Sequence, residues 1–420
     1  MRTAMTALRE EQFCVYLHEQ LVGHLHRRDD FTRFAFAEDY WSAPNRAVLG
    51  LRFEENPHAR HQAKMRLPPW FSNLLPEGRL RDWIASARHT SVRREMELLA
   101  QVGHDLPGAV RVLPSRHLVP VDLSGVDPAD AEPGDAPTGL WSFSLAGVGL
   151  KFSMLAQGDR LTVPGVGEGG DWILKLPDPV HPKVPHNERA MMMLAGTVGI
   201  EVPEVRLVHR DLVAALPDRV WPGGEEFAYA VRRFDRGPGR ERIHIEDMAQ
   251  VRGFYPDPDR SQGKYSGSFE TIGALVYRER DTEALREFAR RLAFNVLIGN
   301  GDAHLKNWSL IYRDARTPTL APAYDLVATF VYRPPGQGPE DMGLRFGRSR
   351  RFEDVHIGNF ADLDRRLGAN ADLAEVALTL VDRVLAEWPI AAGLLADQPE
   401  LCHPIERMIR ERAAQFLMKR

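Results

Sequence analysis

The chain has 420 residues, 54 basic against 58 acidic side chains, and two cysteines, Cys14 and Cys402. That length exceeds what a single core usually serves, so roughly two or three subdomains are expected. The near-neutral charge, the two cysteines and the lack of any apolar run near ~20 residues exclude a nucleic-acid coat, a disulfide scaffold, a zinc knuckle and a membrane span, leaving a cytoplasmic protein without a signal peptide as the expectation.

Residues 12–53 are expected as strands, because FCVYLHEQLVGHL alternates on both sides of a polar turn at His18 to Gln20 and FTRFAF continues the pattern. Residues 70–112 are expected as helices, WFSNLLPEGRLRDWIA and then SVRREMELLAQVG, closing at Pro107-Gly108. Together, residues 1–114 form one α/β subdomain, and residues 115–140, rich in Asp, Pro, Ala and Gly, form a linker.

Residues 141–235 carry the features of a nucleotide-binding lobe. WSFSLAGVGLKFSML places Gly147 and Gly149 between candidate strands, followed by Lys151, and a glycine-rich turn lets backbone amides approach phosphate oxygens. DWILKLPDP then sets Lys175 among apolar strand residues. Such a lysine either snorkels to water at a strand edge or grips a phosphate, as the strand lysine of kinases does. The helix NERAMMMLAGTVGI follows, with Glu188 expected in its first turn and available to Lys175. FAYAVRRFDR leads out of the lobe as a strand over 227–236. Arg232-Arg233 and the run from Arg345 to Arg351 are either phosphate contacts or solvated faces.

Residues 236–420 are expected to be mainly helical. The pattern E-D-M-A-Q at Glu246 to Gln250 starts a helix, and a Pro/Gly-rich loop ends at Lys264-Tyr265. Leu285, Phe288, Leu292 and Val296 form one apolar stripe that breaks at Gly299-Asn300-Gly301. Asp302, His304, Lys306 and Asn307 follow, and Trp308 to Tyr312 can anchor the loop as a strand. Asp302 and Asn307 have the D-x-x-x-x-N spacing of protein-kinase catalytic loops, although the spacing alone also fits a polar turn. Asp325 follows a short apolar segment, where kinases keep a second magnesium ligand, and Asp and Asn oxygens suit that hard cation. Lys306 adds positive charge for a transferred phosphoryl group.

The loop Val296 to Ser309 resembles the catalytic loop of the HipA family, bacterial serine/threonine kinases that act as toxins in toxin–antitoxin pairs. The resemblance extends to Phe71 to Glu77, Leu98 to Gly103, Gly108-Ala109, the I-x-K-L-P of Lys175, and the Glu246 and Lys264-Tyr265 motifs. Ser144, Ala146, Gly147 and Lys151 match the family's glycine loop, while Gly149 and Leu150 depart from it and Arg232 replaces a usual glutamate.

Membership implies a bilobal α+β protein-kinase-like fold with an N-terminal α/β extension subdomain and a helical C-terminal lobe. It implies ATP contacts at Ala146, Gly147, Val148, Gly149, Lys151, Lys175, Phe234, His304, Lys306, Asn307, Tyr324 and Asp325, with Mg²⁺ on Asn307 and Asp325. Asp302 and Lys306 would be catalytic and Ser144 the autophosphorylated residue, while His304 either structures the loop or touches the nucleotide. The implied partners are a HipB-like helix-turn-helix antitoxin, DNA mainly through that antitoxin, and a protein substrate, with aminoacyl-tRNA synthetases among the family's targets. Two rivals are a pseudokinase that keeps only the antitoxin and operator association, and a metal-dependent phosphoesterase.

Overall fold

The structure, a computed structural model, describes residues 10–87, 90–115, 150–164, 168–214, 216, 221, 224–257, 263–334, 336–338 and 340–418. Ser144, Ala146, Gly147, Val148, Gly149 and most of the expected linker lie outside the described residues.

The N-terminal part is a five-stranded antiparallel sheet ordered β4-β3-β2-β1-β5, from strands Glu10–Leu17 (β1), Gln20–Arg28 (β2), Phe31–Phe36 (β3), His61–Lys64 (β4) and Val110–Pro114 (β5). Five helices accompany it: Glu38–Ser42 (α1), Leu51–Glu55 (α2), Pro69–Ser72 (α3), Gly78–Ala87 (α4) and Glu95–Val102 (α5). Two expectations are corrected here. Residues 37–53 are not strand but contain α1 and α2, whose buried Tyr40 and Phe53 point into the aromatic core, and the helical stretch ends early because β5 pairs with β1.

The second sheet has six strands ordered β10-β7-β6-β8-β11-β9: Lys151–Gln157 (β6), Arg160–Thr162 (β7), Trp172–Lys175 (β8), Val205–His209 (β9), Val213–Ala214 (β10) and Phe227–Arg232 (β11). Strand alternation gives its two faces different work. Phe152, Leu174, Ala228 and Ala230 join one core with the N-terminal sheet. Tyr229 and Val231, on the opposite face, join the core that includes helix Val184–Thr197 (α6) and the rest of the chain. The N-terminal part is therefore packed on the back of the second sheet. Helix α6 starts earlier than the Asn187 expected from sequence, since Pro185 is tolerated in a first turn, and Glu188 lies in its second turn.

The C-terminal part holds Met248–Arg252 (α7), Phe269–Val276 (α8), Thr282–Leu297 (α9), Ile357–Leu367 (α10), Leu373–Leu394 (α11) and Pro399–Met418 (α12). Asp281 caps α9 by accepting from Ala284 N at 2.9 Å, and the expected stripe of Leu285, Phe288, Leu292 and Val296 is buried. A small sheet of His244–Asp247 (β12), Ser309–Tyr312 (β13) and Thr319–Leu320 (β14) anchors the loop after α9. The Arg345 to Arg351 run lies on a hairpin, Asp341–Phe346 (β15) and Ser349–Arg351 (β16), within the region expected to be helical. No helix among the described residues is long and apolar enough to cross a membrane.

Burial holds the His26 and His244 imidazoles at about 4, against an ordinary 6.5. Between those pH values the unfolded chain takes up protons that the folded chain refuses, so each group lowers stability as pH falls through the window and is silent above it. Replacing His26 by Gln is expected to flatten the acid loss of unfolding free energy by up to about 1.4 kcal/mol per pH unit, read from urea titrations; an unchanged slope contradicts a neutral buried His26.

Candidate active site

The register of the second sheet builds the first half of the site. Lys151 on β6 and Tyr229 on β11 are the direct cross-strand partners of Lys175 on β8, so two ammoniums stand side by side on one face. Like charges in that arrangement repel. Asp325 answers both, accepting from Lys151 Nζ at 3.2 Å and from Lys175, while Glu188 of α6 also pairs with Lys175. Burial raises the Asp325 carboxyl, but the Lys151 and Lys175 ammoniums outweigh it and leave Asp325 below its usual range. Burial also opposes the charge on Lys175, and Asp325 and Glu188 overrule it and hold the ammonium protonated. Glu188 is pushed up, by burial first, with Asp325 adding to it against the pull of Lys175.

The second half comes from the loop after α9. Gly299 takes φ +64, a conformation that favours glycine, while a Cβ on Gly301 would displace only the flexible Glu340 side chain, 2.3 Å away at its carboxyl carbon. Asn300 is buried and ties two loops together: its Oδ1 accepts from Asp302 N at 3.1 Å, and its Nδ2 donates to the Asp325 carbonyl at 3.3 Å. Asn307 Nδ2 donates to the Asp302 carbonyl at 2.8 Å, and among the described residues no donor is bonded to its Oδ1. The Asp302 side chain is 49% exposed. Asp325 itself sits at φ +55, a conformation uncommon outside glycine but tolerated by Asp.

These groups face one cleft of about 370 Å³. It brings together the expected Lys151, Lys175, Phe234, Asp302, His304, Lys306, Asn307, Tyr324 and Asp325. The Phe234 and Tyr324 rings, both lining the cleft, pack on each other with centroids 5.6 Å apart and planes tilted by 33°. Burial lowers the His304 imidazole, so it is neutral near pH 7.

Lys306 departs from expectation. Its three protons are taken by the Asn73 carbonyl at 2.9 Å, Asn73 Oδ1 at 3.0 Å and Asp247 Oδ2 at 3.0 Å, and its side chain is only 3% exposed. A free ammonium facing a phosphoryl group is not what the structure contains. Lys306 instead ties the loop to α7, whose capping box uses Asp247 and Gln250, and to the N-terminal motif of Asn73 and Glu77. Arg233 is likewise not a phosphate contact. It is buried against Asp105 at 3.0 Å and Asp235 at 2.8 Å, in a network with Arg236. Arg232 turns outward to Glu204, 3.5 Å away, so the charge reversal found there is partly neutralised at the surface.

Sequence reasoning missed Asn300, Tyr229 and the roles of Asn73 and Glu77. The polar Asn between two glycines was the available signal for Asn300. The buried asparagine of F-S-N-L-L-P-E had no partner in sequence until the fold brought Lys306 to it.

A strand lysine paired with a helix glutamate, facing an acid and an asparagine across a cleft between two lobes, defines a protein-kinase-like architecture. Residues 143–388 match the model of the HipA-like C-terminal domain and residues 13–113 that of the HipA N-terminal domain. The chain belongs to the HipA family. It is 41% identical over 407 residues to the Y4dM protein of Sinorhizobium fredii, covering 91% of this chain and 94% of that one. It is 28% identical over 287 residues to the serine/threonine-protein kinase toxin HipA of Shewanella oneidensis, 62% of each chain. The solved complex of Shewanella oneidensis HipA with HipB and its operator DNA has the same fold, with a TM-score of 0.72 at 21% identity over 96% of this chain and 97% of that one.

Replacing Asn73 by Ala should cost about 1–3 kcal/mol, because it leaves the buried Lys306 ammonium short of an acceptor. In a double-mutant cycle with Lys306→Met the two losses should be clearly non-additive; additive losses contradict the tie.

Proposed function

We propose that this chain is an ATP- and Mg²⁺-dependent serine/threonine protein kinase acting in the cytoplasm. One observation carries the reading: Lys175, held between Glu188 and Asp325, shares a cleft with the half-exposed Asp302 and with Asn307, whose Oδ1 has no partner among the described residues. Lys151 and Lys175 bind the phosphates of ATP, whose place facing the lysines the Asp325 carboxylate holds in the structure. Asn307 Oδ1 and the Asp325 carboxylate are oxygen donors that fit Mg²⁺. When bound, the ion supplies charge neutralisation on the phosphate oxygens. The base packs against the aromatic surface that Phe234 and Tyr324 present to the cleft. Asp302 orients the acceptor hydroxyl and takes its proton, and Lys306 keeps the loop in place rather than touching the phosphoryl group.

The family and the fold of the HipA–HipB–operator complex support a HipB-like helix-turn-helix antitoxin as partner, with DNA reached through it. The product is then a phosphorylated Ser or Thr on a protein target, with an aminoacyl-tRNA synthetase the class to test first, and arrest of growth. Self-modification would fall on Ser144. A second reading, a pseudokinase acting as co-repressor, draws on the double engagement of Asp325 by lysines and on the saturated Lys306. The described residues contain no group of three or more His, Cys, Asp or Glu placed to hold a metal ion, so the site carries no observation that favours a phosphoesterase over the kinase.

Purified protein incubated with labelled ATP and Mg²⁺ should label itself and a protein acceptor. Asp302→Ala should lose transfer by at least ~100-fold while still binding ATP, and chelation of the metal should silence the parent. ATP binding without transfer in the parent favours the pseudokinase.

A further inference from the structure

The carboxylate of Asp302 does not stand alone. The Tyr265 phenol donates to its Oδ1 at 2.5 Å, and the Tyr265 ring meets His304 edge to face with centroids 5.1 Å apart. The segment carrying Tyr265 is fastened from three directions. Arg350 donates to the Tyr265 carbonyl at 2.6 Å, Leu305 N donates to the Lys264 carbonyl at 3.0 Å, and the Lys264 ammonium reaches Glu77 at 2.8 Å. Burial first, and then the neighbouring Asp302 charge, push the phenol well above its ordinary range, so it remains a donor.

An aspartate carboxylate turns in a broad, two-fold well when nothing holds it. Here one oxygen is held by a phenol whose ring packs on His304 and whose backbone carbonyl is bonded to Arg350. His304 Nε2 is 3.8 Å from that same oxygen, beyond hydrogen-bond distance. Among the described residues no donor is bonded to Oδ2, and the side chain is half-exposed to the cleft.

We propose that Tyr265 is a positioning residue for phosphoryl transfer, holding Oδ1 of Asp302 so that Oδ2 faces the acceptor hydroxyl. The inference rests on the kinase reading given above. In the step it serves, the acceptor oxygen bonds to the γ-phosphorus as the bond from that phosphorus to the β,γ-bridging oxygen breaks and ADP leaves. The hydroxyl proton passes to Asp302 Oδ2. Tyr265 neither gains nor loses a proton. Lys264-Tyr265 thereby acquires a joint purpose: the lysine fixes the segment to the N-terminal part, and the tyrosine fixes the base.

Tyr265→Phe tests this directly, because the ring still packs on His304 and only the hydroxyl is lost. Label transfer from ATP into the chain itself and into casein is measured over a range of ATP concentrations. The maximal rate should fall by about 10- to 100-fold, as expected for a misaligned reacting group, with the half-saturating ATP concentration unchanged. A purely structural role would instead weaken ATP saturation together with the rate. A Phe variant as fast as the parent overturns the proposal, and a faster one overturns it by showing that the phenol blocks the acceptor position. A parent that binds ATP and transfers to nothing overturns the kinase reading and this inference with it.

Discussion

Two ammoniums in register on adjacent strands are an unfavourable pair, and the cleft exists because Asp325 and Glu188 neutralise them. Lys151, Lys175, Asp325 and Glu188 sum to zero charge, so the site is stable without a ligand yet remains chemically unfinished. In the proposed function, a triphosphate would replace the Asp325 carboxylate as the anion facing the lysines and would free that carboxylate for an accompanying cation. Asn300 makes the exchange coherent, since one side chain holds both the Asp302 backbone and the Asp325 backbone.

The N-terminal part is a structural component of this cleft. It shares a core with the back of the second sheet, and its polar residues meet the rest of the chain at three places. Asp105 receives Arg233 and Arg236 where the lobes join, Asn73 and Glu77 receive Lys306 and Lys264, and Leu51 N and Trp70 donate to the buried Glu246 at 2.9 and 3.1 Å. Buried charges of this kind contribute little net stability when satisfied, but each is costly to leave unpaired. They therefore specify one arrangement of the three parts, and that arrangement sets the position of the loop carrying Asp302.

Much of this was legible from residue patterns. The stripe of α9, its break at Gly299 and the strand at Ser309–Tyr312 follow from local periodicity and glycine geometry, and the structure has each of them. The pairing of Lys175 with Glu188 was also anticipated, though the helix begins a turn earlier than its polar start suggested. What escaped were relationships that sequence spacing does not encode. Lys306 and Asn73 are 233 positions apart, and nothing local distinguishes an ammonium aimed at a phosphate from one already saturated. The same holds for Arg233, whose neighbours in sequence suggested a basic patch and whose neighbours in space are buried carboxylates. The short helices α1 and α2 were lost inside an apparent strand region because their one or two buried residues cannot announce a helical period.

The central claim is that the Lys175 cluster is the seat of the nucleotide phosphates. Titration calorimetry of Mg²⁺-ATP into the parent and into Lys175→Ala tests it most directly. A loss of affinity of at least about tenfold, equivalent to ~1.4 kcal/mol, is the result the account predicts, with the variant still folded by thermal melting. Equal affinity in a folded variant would contradict it, and with it the role assigned to the paired strand lysines.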